Sequence, residues 1–459
     1  MAAASAASVH GVRGAPVGAP DSAASTDTGA EGVAEWTVPL LDGKPPPARG
    51  GQAGLLIGNL FIVFGGTFFK EKFRYLNDLW VVDTDSMQWH KPSAEGRAPS
   101  ARYGHAAAVV GTSVYVFGGK GPGSSVHNDL HRLDVERWTW SLVPSTTAPP
   151  LGRFGHSMAA VGDKLVMFGG WDGSTMFNDL WVFDTAAASW VKPAVDGPPP
   201  SPRHGHSLLL APAANRLVVW GGWAESPRGL PDYRSDGRAL NPDTMTWERL
   251  RVTGERPTGR YWHSAGMVAD RYMVVCGGWG ASEMDASAKE AAAASQAAGV
   301  TGGASAAAGR TGLAARAAAA AAAAPRRSRS LWVLDTVERV WAQPVAAGRH
   351  LGVRYGQSLA VLGPFGLLFG GWDGVKSRAD ITQLDLTPVL GDVGSASIAD
   401  DASAEAAAAE HGHQHAHAHD GDRDFSGGPA GAHDGGFGDE YGAGFGGEEG
   451  DYADGDYAQ

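Results

Sequence analysis

The sequence predicts an all-β fold, a six-bladed propeller closed by its own N-terminal strand. Three observations carry it: a repeated glycine doublet, a repeated tryptophan, and an offset between them at the two ends. The doublets are Gly65-Gly66, Gly118-Gly119, Gly169-Gly170, Gly221-Gly222, Gly277-Gly278 and Gly370-Gly371, spaced 53, 51, 52, 56 and 93 residues apart. A period near 50 is that of a propeller blade.

The third unit shows the anatomy. An RFGH start leads into an alternating strand at 157–161, and a turn at Gly162-Asp163-Lys164 leads into a second strand at 165–168 that runs into Gly169-Gly170. Residues 178–184, NDLWVFD, read as a third strand and 189–191, SWV, as a fourth. Four short antiparallel strands cannot bury both faces alone, so neighbouring blades must stack, with large residues such as Trp190 filling the wedge.

Closure follows from the counts. Trp36 precedes the first doublet as a fourth strand without the other three, whereas the last unit, 354–386, has three strands and no tryptophan. The other fourth-strand tryptophans are Trp89, Trp138 or Trp140, Trp190, Trp247 and Trp341. Six doublets match six tryptophans only if the N-terminal strand completes the last blade, which also removes exposed sheet edges.

These residues carry a resemblance. RxGH, a glycine doublet, NDLWxxD and then tryptophan is similar to the kelch repeat over roughly residues 35–387, with a weaker start at Arg49-Gly50-Gly51-Gln52. The resemblance implies a propeller used mostly for protein binding, in a family that also holds copper oxidases, sugar enzymes and iron-dependent specifier proteins. The copper chemistry would need a cysteine linked to tyrosine, and the single cysteine, Cys276, falls on a strand read as buried. The iron chemistry uses a Glu followed four residues later by Asp, a spacing this sequence lacks.

The expected organisation is a disordered segment at 1–34, a propeller at 35–390 with an Ala-rich insertion at 280–329 in the fifth blade, and a disordered acidic tail at 391–459. Within the insertion, 285–298 and 311–324 read as helices. Arg326-Arg327-Ser328-Arg329-Ser330 follows, with Ser330 in a basophilic kinase context. The tail from 392 holds 16 acidic residues against Arg423, a net −15; the rest of the chain is +3, so the overall −12 belongs to the tail. His411, His413, His415, His417 and His419 alternate with small residues, a spacing that could gather a soft divalent ion or serve as a pH-sensitive solubility element. No firm metal site and no cofactor is expected. One cysteine and no apolar span outside the alanine tract point to cytoplasm or nucleus; the acid-free start leaves an organellar leader open.

The expected function is a non-catalytic protein-interaction module, adaptor or scaffold, with protein partners and neither nucleic acid nor membrane. Aligned blade starts place Arg49, Arg102, Arg153, Arg203, Arg260 and Arg354 on one circle, followed three residues later by Gln52, His105, His156, His206, His263 and Gln357. The resemblance implies that such arginines hold acidic peptides at the channel mouth, and the planar guanidinium fork suits carboxylate. A second reading is open and weighs at least as much, because an acid repeats in step at Asp78, Asp129, Asp179, Asp236 and Asp380, with Ser330 in the fifth blade. The arginines would then brace the fold, leaving Arg260 the freest of them. A further acid repeats at Asp83, Asp134, Asp184, Asp335 and Asp385, with Asn241 in the fourth blade. Trp171 and Trp372 after the doublets, and Phe68, Phe69 and Phe73 in the FFKEKFR loop, are candidate partner anchors. The alternatives are a kelch-type enzyme on an anionic carbohydrate and a cytoskeletal or axonemal structural component.

Overall fold

In the computed structural model of the chain the described residues are 32–69, 72–226, 231–280, 326–327, 330–349 and 352–390. They form six radial sheets. From the axis outward, strands a to d of the third blade are Ser157–Val161, Lys164–Phe168, Leu180–Asp184 and Ser189–Val191, all antiparallel. Strand c begins two residues later than the sequence pattern suggests because Asp179 leaves the ladder to meet Arg153. The other strands a are Ala53–Ile57, Ala106–Val110, Ser207–Ala211, Ser264–Val268 and Ser358–Leu362.

The clasp is as the counts require. Ala34–Thr37 is strand d of the sixth blade, antiparallel to Ile381–Asp385 with Trp36 opposite Leu384. The linker strand Val345–Gly348 runs parallel along its outer side, and Arg326–Arg327 pairs beyond that. Two-residue linker strands cover blades two and five in the same way, at Glu95–Gly96 and Thr253–Gly254. These additions shield sheet edges that would otherwise offer unpaired backbone.

Each wedge between blades is closed by one strand-d tryptophan from one blade against the last residue of strand b in its neighbour. Trp140 meets Phe64 with ring centroids 5.0 Å apart, Trp190 meets Phe117 at 5.0 Å, and Trp247 meets Phe168 at 5.4 Å. Trp341 meets Trp220 at 5.4 Å and Trp89 meets Phe369 at 5.3 Å. The sixth wedge holds Trp36 in one cluster with Cys276, the residue that replaces the aromatic. Trp140 is therefore the wedge residue of the second blade; Trp138 sits in the preceding turn with φ +49°. Burial raises the Cys276 thiol to about 12, which leaves it a protonated packing group.

The second repeated acid has a local role. Asp83, Asp134, Asp184, Asp335 and Asp385, with Asn241, each accept backbone N–H bonds from residues two or three ahead and so fix the turn after strand c. The insertion separates strand b, Tyr272–Cys276, from strand c, Leu331–Asp335, of the fifth blade. The expected helices at 285–298 and 311–324 and the His411–His419 run lie outside the described residues.

Candidate functional site: an aromatic face over a capped axial channel

The arginine circle forms, but its guanidinium groups face inward to the blades. None of the six is more than 4% exposed. Each donates from Nη1 to the carbonyl of the first doublet glycine, at 3.0 Å for Arg49 to Gly65 and 2.9 Å for Arg102 to Gly118. Nε donates to the carbonyl two residues earlier in five blades. Arg49, Arg102, Arg153 and Arg354 fork onto Asp78, Asp129, Asp179 and Asp380 of the same blade, and Arg203 pairs with Asp236 at 3.0 Å. Arg260 is buried like the others and donates to Gly277 O at 2.8 Å and to Thr258 O and Oγ1 at 3.1 Å, so it is not the free member of the set. Burial alone would raise these aspartates, yet the arginine hydrogen bonds and charge hold Asp78, Asp179, Asp236 and Asp380 below the usual carboxylate range. This is the geometry of a brace, closed within each blade.

Three residues on, the imidazoles and amides stitch one blade to the next. Gln52 Nε2 donates to Phe369 O at 3.0 Å and Gln357 Nε2 to Cys276 O at 2.8 Å. The histidines occupy the same place, edge-on to the strand-b aromatics, as His105 to Phe64 at 5.4 Å. Burial and then the neighbouring arginine charge push His105 and His263 down to about 3 and His156 and His206 well below 6.5. Among the described residues no three His, Cys, Asp or Glu side chains are grouped to hold a metal ion.

The residue before each of these groups makes a feature the sequence reading did not reach. Gly51, Gly104, Gly155, Gly205, Trp262 and Gly356 pass backbone hydrogen bonds around the axis, each N–H donating to the preceding blade's carbonyl at 2.7–2.8 Å. Gly356 accepts from Gly51, so the circle of six closes. The turn demands φ near +65° at every position. Glycine supplies this freely; Trp262 adopts φ +51°, at a cost of roughly 1 kcal/mol or more. Its indole reaches across the mouth to the opposite blade, where a Cβ on Gly104 would lie 2.9 Å from Cη2. Below it lies an axial well of about 150 Å³ lined by the glycines and by Gln52, the four histidines and Gln357. The signal was present in the sequence as RYWH, where units two to four read RxGH and the first and sixth RxGQ.

Around this cap the face is aromatic. Tyr103, Phe154, His204, Tyr261 and Tyr355 follow the arginines, and each bridges to the residue after its doublet, including Trp171, Trp223, Trp279 and Trp372. Trp171 stacks on His204 at 5.5 Å, Tyr261 stacks on Tyr355 at 6.5 Å, and Trp262 lies 6.5 Å from Tyr103. The first-blade loop is a hairpin, Thr67–Phe69 with Phe73–Tyr75, that leans on Trp372 through Phe69 at 6.3 Å. Phe68 is half-buried there, while Phe69 and Phe73 are 44% and 60% exposed.

The KLHDC2/KLHL20/DRC7 Kelch-repeats domain profile matches residues 51–278. With six blades of the same build, that decides the family. The chain is a kelch-repeat propeller protein. Similar stretches occur in acyl-CoA-binding domain-containing protein 4 of Arabidopsis thaliana, 36% identical over 137 residues, which is 30% of this chain and 20% of that protein. Tip elongation aberrant protein 1 of Schizosaccharomyces pombe is 38% identical over 135 residues, 28% of this chain and 12% of its own. Host cell factor 1 of Homo sapiens is 29% identical over 274 residues, 55% of this kelch chain and 13% of its own. The chain spans a fifth or less of the length of these curated relatives. Among the described residues no helix is long and apolar enough to cross a membrane.

Proposed function

We propose that this kelch propeller is a non-catalytic protein-interaction module whose partner docks on the aromatic face over Trp262. The observation that carries the reading is the indole itself. At the one non-glycine position of the inner hydrogen-bonded circle a tryptophan holds a strained backbone in order to lie across the mouth. Strained residues of this kind cluster at binding sites. The cap turns a ring with a central opening into a broad aromatic surface, and aromatic side chains supply much of the energy of protein interfaces. Arg49, Arg102, Arg153, Arg203, Arg260 and Arg354 support that surface from below. Trp171, Trp372, Phe68, Phe69 and Phe73 contact the partner, and the exposed Lys72 and Arg74 beside Phe73 favour acidic groups on it. The lining of the axial well contains no Asp or Glu, the pair an acid–base reaction on a sugar would call for.

Two variants separate binding from folding. Trp262→Gly restores the glycine of the other blades and relieves the backbone, so its melting temperature should stay within a few degrees of the parent. Phe73→Asp alters an exposed ring. Both should lose most of the proteins that copurify with the tagged full chain, by roughly tenfold for loss of one anchor worth about 1.4 kcal/mol. An unchanged set of partners with both variants would reject the aromatic face as the docking surface.

A further inference from the structure

Six positions are equivalent at the start of strand c, and five of them are acidic. The equivalence is structural: the first doublet glycine donates its N–H to the carbonyl of Asp78, Asp129, Asp179, Asp236 or Asp380 at 3.2 Å, and Gly277 donates to the carbonyl of Ser330 at 2.8 Å. Ser330 therefore stands where the other blades place the carboxylate that the arginine grips. The surroundings are those of an anion site. Arg260 Nη1 reaches Gly277 O and its Nη2 reaches Thr258 Oγ1, as Arg102 and Arg203 reach Ser100 and Ser201 in blades that hold aspartate. Trp332 follows Ser330 by two residues, the place from which Trp80 and Trp181 donate Nε1–H to Asp78 and Asp179 at 2.6 and 2.8 Å.

We propose that Ser330 is a phosphorylation site whose phosphoryl group takes the place of the brace carboxylate against Arg260. A phosphoserine brings near-dianionic charge and three acceptor oxygens, and an arginine fork is the group best matched to it. The position lies near the surface: the equivalent aspartates are 16–44% exposed, and Ser330 is half-buried. The approach is also suitable. Arg327 and Arg329 precede the serine in sequence, and the two-residue strand Arg326–Arg327 lies at the outer edge of the sixth blade, where local opening is easiest. In the transfer, Ser330 Oγ forms a bond to the γ-phosphorus of ATP as the β,γ-bridging P–O bond breaks; ADP leaves and the hydroxyl proton passes to the kinase's base. Arg260 lies two residues before Trp262, so the charge at position 330 sets how firmly the segment carrying the channel cap is held.

The test uses the full chain with ATP and an arginine-directed protein kinase, read by mass spectrometry and thermal unfolding. Ser330 should take up phosphate, Ser330→Ala should abolish that incorporation while Ser328→Ala keeps it, and the modified chain should melt about 2 °C or more above the unmodified one. Ser330→Asp should raise the melting temperature likewise, and Arg260→Lys, which loses the fork, should forfeit the gain from phosphate. No labelling at Ser330 overturns the proposal, as does a melting temperature that is unchanged or lowered by phosphate or by Ser330→Asp.

Discussion

Deleting residues 30–45 will leave the ring open and prone to associate through its edges, and Trp36→Ala alone will lower stability by about 3–5 kcal/mol. The deletion removes strand d of the sixth blade, with its pairing of Glu35, Trp36 and Thr37 to Asp385, Leu384 and Gln383. It also strips Val345–Gly348 of its parallel neighbour. Both flanking strands become edges with unpaired backbone. Trp36 is 1% exposed and fills the wedge against the fifth blade beside Val274, Cys276 and Leu331. At the end of strand b this wedge holds Cys276 where five blades hold an aromatic, so the indole supplies most of its bulk. Thermal unfolding and size-exclusion chromatography read the two effects. A Trp36→Ala variant within 1 kcal/mol of the parent would mean that the clasp contributes little to the ring.

Mild acid should weaken the propeller steeply, beginning well above the range in which carboxylates titrate. His105, His156, His206 and His263 are buried and neutral, with protonation suppressed by burial and then by the adjacent arginine. Their folded values lie below the unfolded value near 6.5. The unfolded chain therefore binds more protons between about pH 6.5 and 3, and stability is full above that window and lost as pH falls through it. Each imidazole contributes about 1 kcal/mol per pH unit in the window. The melting temperature should be level above pH 7 and drop sharply between pH 6.5 and 5. His156→Gln should reduce the slope, because Gln52 and Gln357 already fill the same place in two blades with a group that does not titrate. A melting temperature that holds from pH 7 to 5 would place protonation elsewhere.

The fold was legible in the sequence because a propeller writes each blade in the same order. Glycine doublets, strand-c acids and wedge tryptophans recur at fixed offsets, and the mismatch between Trp36 and the last unit encodes closure. What could not be read was direction. The circle of arginines was visible, but whether Arg153 faces the channel or Asp179 depends on a backbone turn of two residues, and both readings fit one repeat. Trp262 illustrates the complementary problem. A consensus pattern draws attention to what repeats, whereas the cap is the position where the repeat fails. The edge strands Glu95–Gly96 and Thr253–Gly254 are too short to give any periodic signal.

The division of labour between brace and face is tested most directly at Arg153 and Asp179. Arg153→Ala removes one partner of a buried, hydrogen-bonded pair and should cost about 3–5 kcal/mol, whereas the double change Arg153→Met with Asp179→Leu replaces both by apolar groups and should restore most of that loss. Partner retention by the folded double variant is the deciding measurement. A structural brace predicts that it captures the same partners as the parent chain; a folded double variant that has lost them would show that the arginine itself holds the ligand.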